Sequence, residues 1–158
     1  MKIFNIILTP LIVISLLFSG CSASKELKEV KNVAVEPLEL HAWIDLMPGK
    51  PSTVHFSGVL KITNKSGQEL KDLFIRKMEV FQNEKPLYSF EPRFSSGSGI
   101  GRSVLPGDSK LFKFNTDKGL KRKIELKTDD PVSAVLSFSS GYLYFVYKID
   151  ALEIQKVY

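Results

Sequence analysis

From Glu36 to Tyr158 apolar and polar residues alternate with a period of two, the spacing that puts successive side chains on opposite faces of a strand. In "PLELHAWIDLMPG", residues 37 to 49, Leu38, Leu40, Ala42, Ile44 and Leu46 share one face. Glu39, His41, Trp43 and Asp45 share the other, and Pro48-Gly49 ends the run. "STVHFSGVLKITNKSG", residues 52 to 67, repeats the pattern with Val54, Phe56, Leu60 and Ile62 inward before the turn chemistry of Asn64-Lys65-Ser66-Gly67. Residues 70 to 90 hold two further strand patterns divided by Asn83-Glu84-Lys85-Pro86, and "SKLFKFN" aligns Phe112 with Phe114. The chain closes with "PVSAVLSF" and "GYLYFVYKIDALEIQKVY", separated by Ser139-Ser140-Gly141. In the last of these, Leu143, Phe145 and Tyr147 form the row expected inside and Tyr142 and Tyr144 the opposite row.

Seven or eight short strands at close intervals, with no long segment of helical period, predict an all-β fold. A single antiparallel β-sandwich over residues 36–158 accommodates them most economically, and a small β-barrel is the structural alternative. The stretch "GVLKITNKSGQELKDLFI" resembles the strand-turn-strand unit of immunoglobulin-like modules found outside the cytoplasm in bacteria. There a Gly-x-Leu-x-Ile-x-Asn-x-Ser pattern precedes a polar turn. The Cys-Trp-Cys spacing of antibody domains is missing, so the resemblance implies an immunoglobulin-like β-sandwich and not an antibody domain.

Residues 1–20 follow another pattern. Lys2 precedes a nearly unbroken apolar run from Ile3 to Phe18, and Ser19-Gly20 lead to Cys21. The run is too short for a bilayer core, which takes about 20 apolar residues, and Pro10 interrupts it, so it reads as a secretory leader and not a membrane span. Phe18-Ser19-Gly20-Cys21 resembles the lipobox of bacterial lipoproteins, with Phe18 where Leu is usual. The resemblance implies cleavage before Cys21, a diacylglycerol on its thiol and a lipid anchor in a membrane. Ser22 in place of Asp is the form that in enteric bacteria directs a lipoprotein to the outer membrane. Residues 22–35, "SASKELKEVKNVAV", read with Cys21 as a flexible tether, spanning roughly 20 Å if unstructured.

Composition sharpens the picture. One cysteine forbids an intramolecular disulfide, so packing must hold the domain together. The 22 basic against 17 acidic residues give +5, enough for attraction to anionic surfaces but too scattered to indicate nucleic acid as a partner. His41 and His55 stand without HExxH, GxSxG or a second cysteine, so neither hydrolase chemistry nor tetrahedral zinc has its minimum set and no enzyme is expected. No cofactor is expected either; a copper set of His41, Met47, His55 and Met78 is the weighed exception. "SSGSGIGR", residues 95 to 102, lacks the glycine spacing and Lys-Ser or Lys-Thr of a phosphate loop, and reads as a mobile loop.

Two stretches remain as interaction candidates. "KGLKRK", residues 118 to 123, is either a solvated turn or a site where Lys121, Arg122 and Lys123 meet anionic lipid head groups or cell-wall phosphates. The Tyr142 and Tyr144 row is either covered or free to stack on a sugar or a partner. The expectation is a lipid-anchored, extracytoplasmic interaction or assembly module of the cell envelope, meeting another envelope protein or a cell-wall glycan. The alternative is a lipoprotein that captures a small molecule, glycan or metal in a pocket.

Overall fold

The computed structural model describes residues 27–97 and 101–158. Cys21 and the leader lie outside the described residues. Eleven strands and no helix occur among those described: β1 (Lys28–Glu29), β2 (Val33–Asp45), β3 (Thr53–Asn64), β4 (Phe74–Gln82), β5 (Lys85–Phe90), β6 (Arg93–Ser96), β7 (Ser109–Asn115), β8 (Leu120–Lys121), β9 (Val132–Ser140), β10 (Leu143–Leu152) and β11 (Ile154–Val157). They form two sheets, one ordered β1-β10-β9-β4-β5 and the other β11-β2-β3-β7-β6, with β8 on the end of β3. Neither closes into a barrel. Without β1, β8 and β11, this is the strand order of immunoglobulin-like sandwiches, in which successive hairpins alternate between the sheets.

The alternating pattern fixes which face is inside. Along β3 every second residue is buried, and Val54, Phe56, Leu60 and Ile62 are fully enclosed. Phe112 and Phe114 on β7 meet them within the second sheet, and Leu136 and Phe138 on β9 and Leu143 and Phe145 on β10 line the first. Phe112 stacks on Phe94 at 4.9 Å, Phe94 meets Phe138 edge-on at 6.1 Å, and Phe138 stacks on Phe145 at 4.7 Å. This chain of four rings crosses from one sheet to the other.

Departures from the simple pattern have local causes. Leu38, expected inside, is 49% exposed, because β2 slips register between Pro37 and Glu39. Pro37 has no N–H to give the ladder, and a bulge there leaves Leu38 as the extra residue. Val33 and Val35 therefore face the core before the bulge, and Leu40, Ala42 and Ile44 after it. The strand count rises from seven or eight to eleven: β8 is a short pairing on the end of β3, β6 takes up Ser95 and Ser96 of the stretch expected to be a mobile loop, and two more strands come from the ends of the domain. Lys28, Glu29 and Val33 to Val35, expected in the tether, are strand: β1 pairs parallel with β10, and β2 begins at Val33. The last expected strand also divides at Glu153, where the chain crosses sheets and β11 pairs parallel with β2. Both sheets are thus mixed and not purely antiparallel.

Gly58 shows why the Gly-x-Leu-x-Ile pattern begins with glycine. A Cβ at this position would lie 2.5 Å from Cε1 of Phe114 and 2.8 Å from the Glu39 carbonyl oxygen. The missing side chain lets the Phe114 ring lie over the backbone of β3.

This packing sets the cost of individual side chains. Phe145→Ala should cost about 3–5 kcal/mol by emptying one place in the ring chain, whereas Tyr142→Ala, on an exposed turn, should change stability by less than about 0.5 kcal/mol; urea melts separate the two. In the β4–β5 turn Asn83 and Glu84 both adopt positive φ, 50° and 64°. Such a turn favours Asn-Gly, so Glu84→Gly should raise stability by about 0.5–1 kcal/mol in the same assay.

Candidate functional site

Each end of the sandwich is tied by a buried side-chain amide. The proximal end is where the chain enters at Leu27; Lys28 N–H donates to the Tyr142 carbonyl at 2.8 Å. Asn64, fully buried there, donates from Nδ2 to the carbonyls of Gln68 (2.7 Å) and Val104 (3.0 Å). Its Oδ1 accepts from the Ser66 amide (3.0 Å) and hydroxyl (2.6 Å). Its backbone joins Asp108 and Gly107 at 2.9 and 2.7 Å. One residue thus binds loops 65–68 and 104–108 to the end of β3. At the distal end Gln82 does the same for loop 122–131. It donates to the carbonyls of Lys127 (2.7 Å) and Asp130 (2.9 Å) and accepts from the Lys127 amide (2.9 Å).

The basic turn expected at Lys121, Arg122 and Lys123 belongs to the distal end. Lys121 pairs with Thr53, Arg122 N–H donates to the Ser52 carbonyl (3.1 Å), and Lys123 N–H donates to the Tyr88 hydroxyl (3.0 Å). Burial pushes the Tyr88 phenol above its ordinary pKa, partly offset by that amide. All three cations are exposed, and none makes an ion pair among the described residues. The next residue, Ile124, is 98% exposed, and Met47, Val157 and Tyr158 are exposed on the same end. Across the end, Lys156 binds Asp129 at 2.9 Å, which holds its ammonium pKa up.

Tyr142 and Tyr144 lie at the other end and part company. Tyr142 sits in the β9–β10 turn, 49% exposed, beside a hollow of about 490 Å³ that Gln68, Lys71 and Leu143 also line. Tyr144 is half-buried on the outer face of the first sheet, where Leu27, Arg76, Ser137 and Val146 join it around a shallow 430 Å³ depression. Eleven residues of β3 separate the Lys121 level from Asn64, roughly 35 Å at strand rise. The tyrosines and the basic turn therefore make two surfaces and not one.

The sandwich also separates the His/Met set. Met78 is enclosed in the core, His41 and Met47 are exposed, and His55 lies on the outer face of the second sheet. His55 stacks on its cross-strand partner Trp43 at 5.0 Å, and its Nε2 is 3.0 Å from the Thr53 hydroxyl. Gly119, at φ +73°, passes so close that a Cβ would lie 2.5 Å from the ring. No group of three or more His, Asp or Glu side chains able to hold a metal occurs among the described residues.

What sequence reasoning missed is a second basic surface. Lys28, Lys31 and Lys65 line a half-open cleft of about 510 Å³ at the proximal end, together with Ser66, Gln68 and Leu143. Its walls are Lys28–Asn32 and Lys65–Gln68, joined by the Lys65 amide donating to the Asn32 carbonyl at 2.9 Å. Asn32 makes the bend at φ 67°, a conformation its short amide tolerates. Two segments more than thirty residues apart in the chain meet here, and the pattern of either alone carries no sign of it.

The described residues thus define a one-domain β-sandwich with separate cationic surfaces at its two ends. No protein-family model matches the chain, and no curated protein matches it. Among solved structures, it is similar to an uncharacterised β-sandwich protein from Clostridium difficile 630, at 17% identity and a TM-score of 0.41 over 77% of this chain and 93% of that one.

If Asn64 holds the proximal loops, Asn64→Leu should cost about 1–3 kcal/mol by taking one of two donors from the carbonyls of Gln68 and Val104 and the acceptor from the Ser66 amide. Hydrogen exchange should then accelerate at residues 65–68 and not at the Gln82 end, and Gln82→Leu should give the reverse map.

Proposed function

We propose that this chain is a lipid-anchored, extracytoplasmic module of the cell envelope. Acyl chains on Cys21 hold its proximal end at a membrane, and its distal end engages another envelope component without catalysis. The observation that carries the reading is the polarity of the fold. Leu27 enters at one end of the sandwich, six positions after Cys21, so even a fully extended connection reaches only about 20 Å. The Lys121–Lys123 loop and the exposed Ile124 stand at the opposite end, beyond the length of β3.

An exposed apolar side chain beside cations with no carboxylate partner among the described residues, Lys123 lying 5.5 Å over the Tyr88 ring, suits a partner with an acidic surface and an apolar recess. The apolar contact contributes affinity, and the charges steer the encounter. A domain tied at one end keeps that surface turned away from its own membrane.

Mass spectrometry of the mature protein should find an acylated amino-terminal Cys21, and Cys21→Ser should leave the leader uncut. An unmodified peptide starting elsewhere would overturn the anchor. A photo-crosslinking residue at Ile124 should capture a defined envelope component, with Arg122→Glu lowering capture about tenfold at low salt. The same crosslinker at Leu111, on the outer face of the second sheet, should capture none.

A further inference from the structure

We infer that the proximal cleft is a seat for the phosphate-bearing head groups of the membrane to which the domain is anchored. Three lysines, Lys28, Lys31 and Lys65, converge on it from two chain segments. None makes an ion pair among the described residues, and Glu29 is the one carboxylate in the lining. In the adjoining hollow Lys71 is held by Glu69 at 3.7 Å, so the lysines of the cleft itself carry the uncompensated charge.

The cleft is built and not a chance meeting of surface side chains. Asn64 fixes the Ser66 and Gln68 wall through part-buried hydrogen bonds, and the parallel pairing of β1 with β10 fixes Lys28 beside Leu143. Ser66 and Gln68 add polar groups to the lining, and Leu143 adds an apolar one. A phosphodiester with a short polar ester fits this chemistry: ammonium groups for the anion, the Gln68 side-chain amide for the head group, a methyl surface for the glycerol. Tyr142, half-exposed in the turn beside the cleft, has the amphipathic ring suited to the membrane–water boundary.

The position of the cleft selects its ligand. It opens where Leu27 leaves the domain, within reach of the surface on which an acylated Cys21 would sit. The equally cationic Lys121–Lys123 loop is roughly 35 Å away. Of the two basic surfaces, the one that the sequence did not disclose is therefore the one that meets lipid. This rests on the anchored reading only for the distance to the membrane; the charge and shape of the cleft do not depend on it.

The test is lysine acetylation footprinting of the full chain, reconstituted in vesicles of phosphatidylcholine alone or with phosphatidylglycerol. With anionic lipid, labelling of Lys28, Lys31 and Lys65 should slow about fivefold each, the factor expected for a lysine held at an anionic surface. Lys121 and Lys123 should label at unchanged rates, and high salt should abolish the protection. Replacing Lys28 and Lys31 with Gln should return the labelling of Lys65 to its rate over neutral lipid. Equal labelling in both vesicles, or protection at Lys121 and Lys123 instead, would overturn the inference. So would equal protection by free glycerol phosphate over neutral vesicles, which would make the ligand a soluble phosphate. Protection with an unacylated Cys21 would keep the seat and remove the anchor, so the two readings fail separately.

Discussion

The four-ring chain from Phe112 through Phe94 and Phe138 to Phe145 is the contact on which the two sheets depend. Antibody domains tie the same two layers with a disulfide, but this sequence has one cysteine and so no disulfide within the chain. Stacked and edge-on rings replace that bond, because they bury large apolar area and their preferred geometries fix the spacing and orientation of the sheets. Gly58 belongs to the same constraint, because only a bare backbone lets Phe114 lie flat over β3.

With the layers fixed, the loops at either end still need anchoring, and hydrophobic contact has no direction with which to do it. Asn64 and Gln82 supply the direction. Each is a buried amide whose polar atoms are spent on the loops, and each is costly to replace because the loop groups it bonds would lose a partner inside the fold. The chemistry at both ends therefore rests on residues that touch no ligand. Lys65 owes its position in the cleft to Asn64, and the base of the Lys121–Lys123 loop is steadied by Gln82 and the Tyr88 hydroxyl.

Much of this was legible in the chain. Period-two patterning marked β3, β7, β9 and the inward Leu143–Phe145 row, because a sheet with a buried face leaves its register in the sequence. Asn64 was legible as turn chemistry but not as a buried tie, since the carbonyl of Val104 lies forty residues on. Leu38 was misplaced because a bulge reverses the phase without changing composition. The tether was drawn too long because Lys28 and Glu29 are strand only by virtue of an edge on β10 that a local reading does not contain. The basic turn was legible as a run of charges. The proximal cleft was not, because its lysines come from segments that meet only in the fold. The proposed anchor at Cys21 is the reverse case, read from a motif and lying outside the described residues.

The two parallel edge pairs set how the domain bears load. β1 and β2 begin at one end of the sandwich and β11 finishes at the other, alongside β2. A pull between Lys28 and Val157 therefore runs along the strands, and the hydrogen bonds of β2 to β3 and β11 are strained together instead of opening one after another from a free edge. Rupture must break many bonds at once, which raises the barrier that governs forced unfolding. A sandwich strung this way resists tension applied between Lys28 and Val157 without a covalent clamp between its sheets.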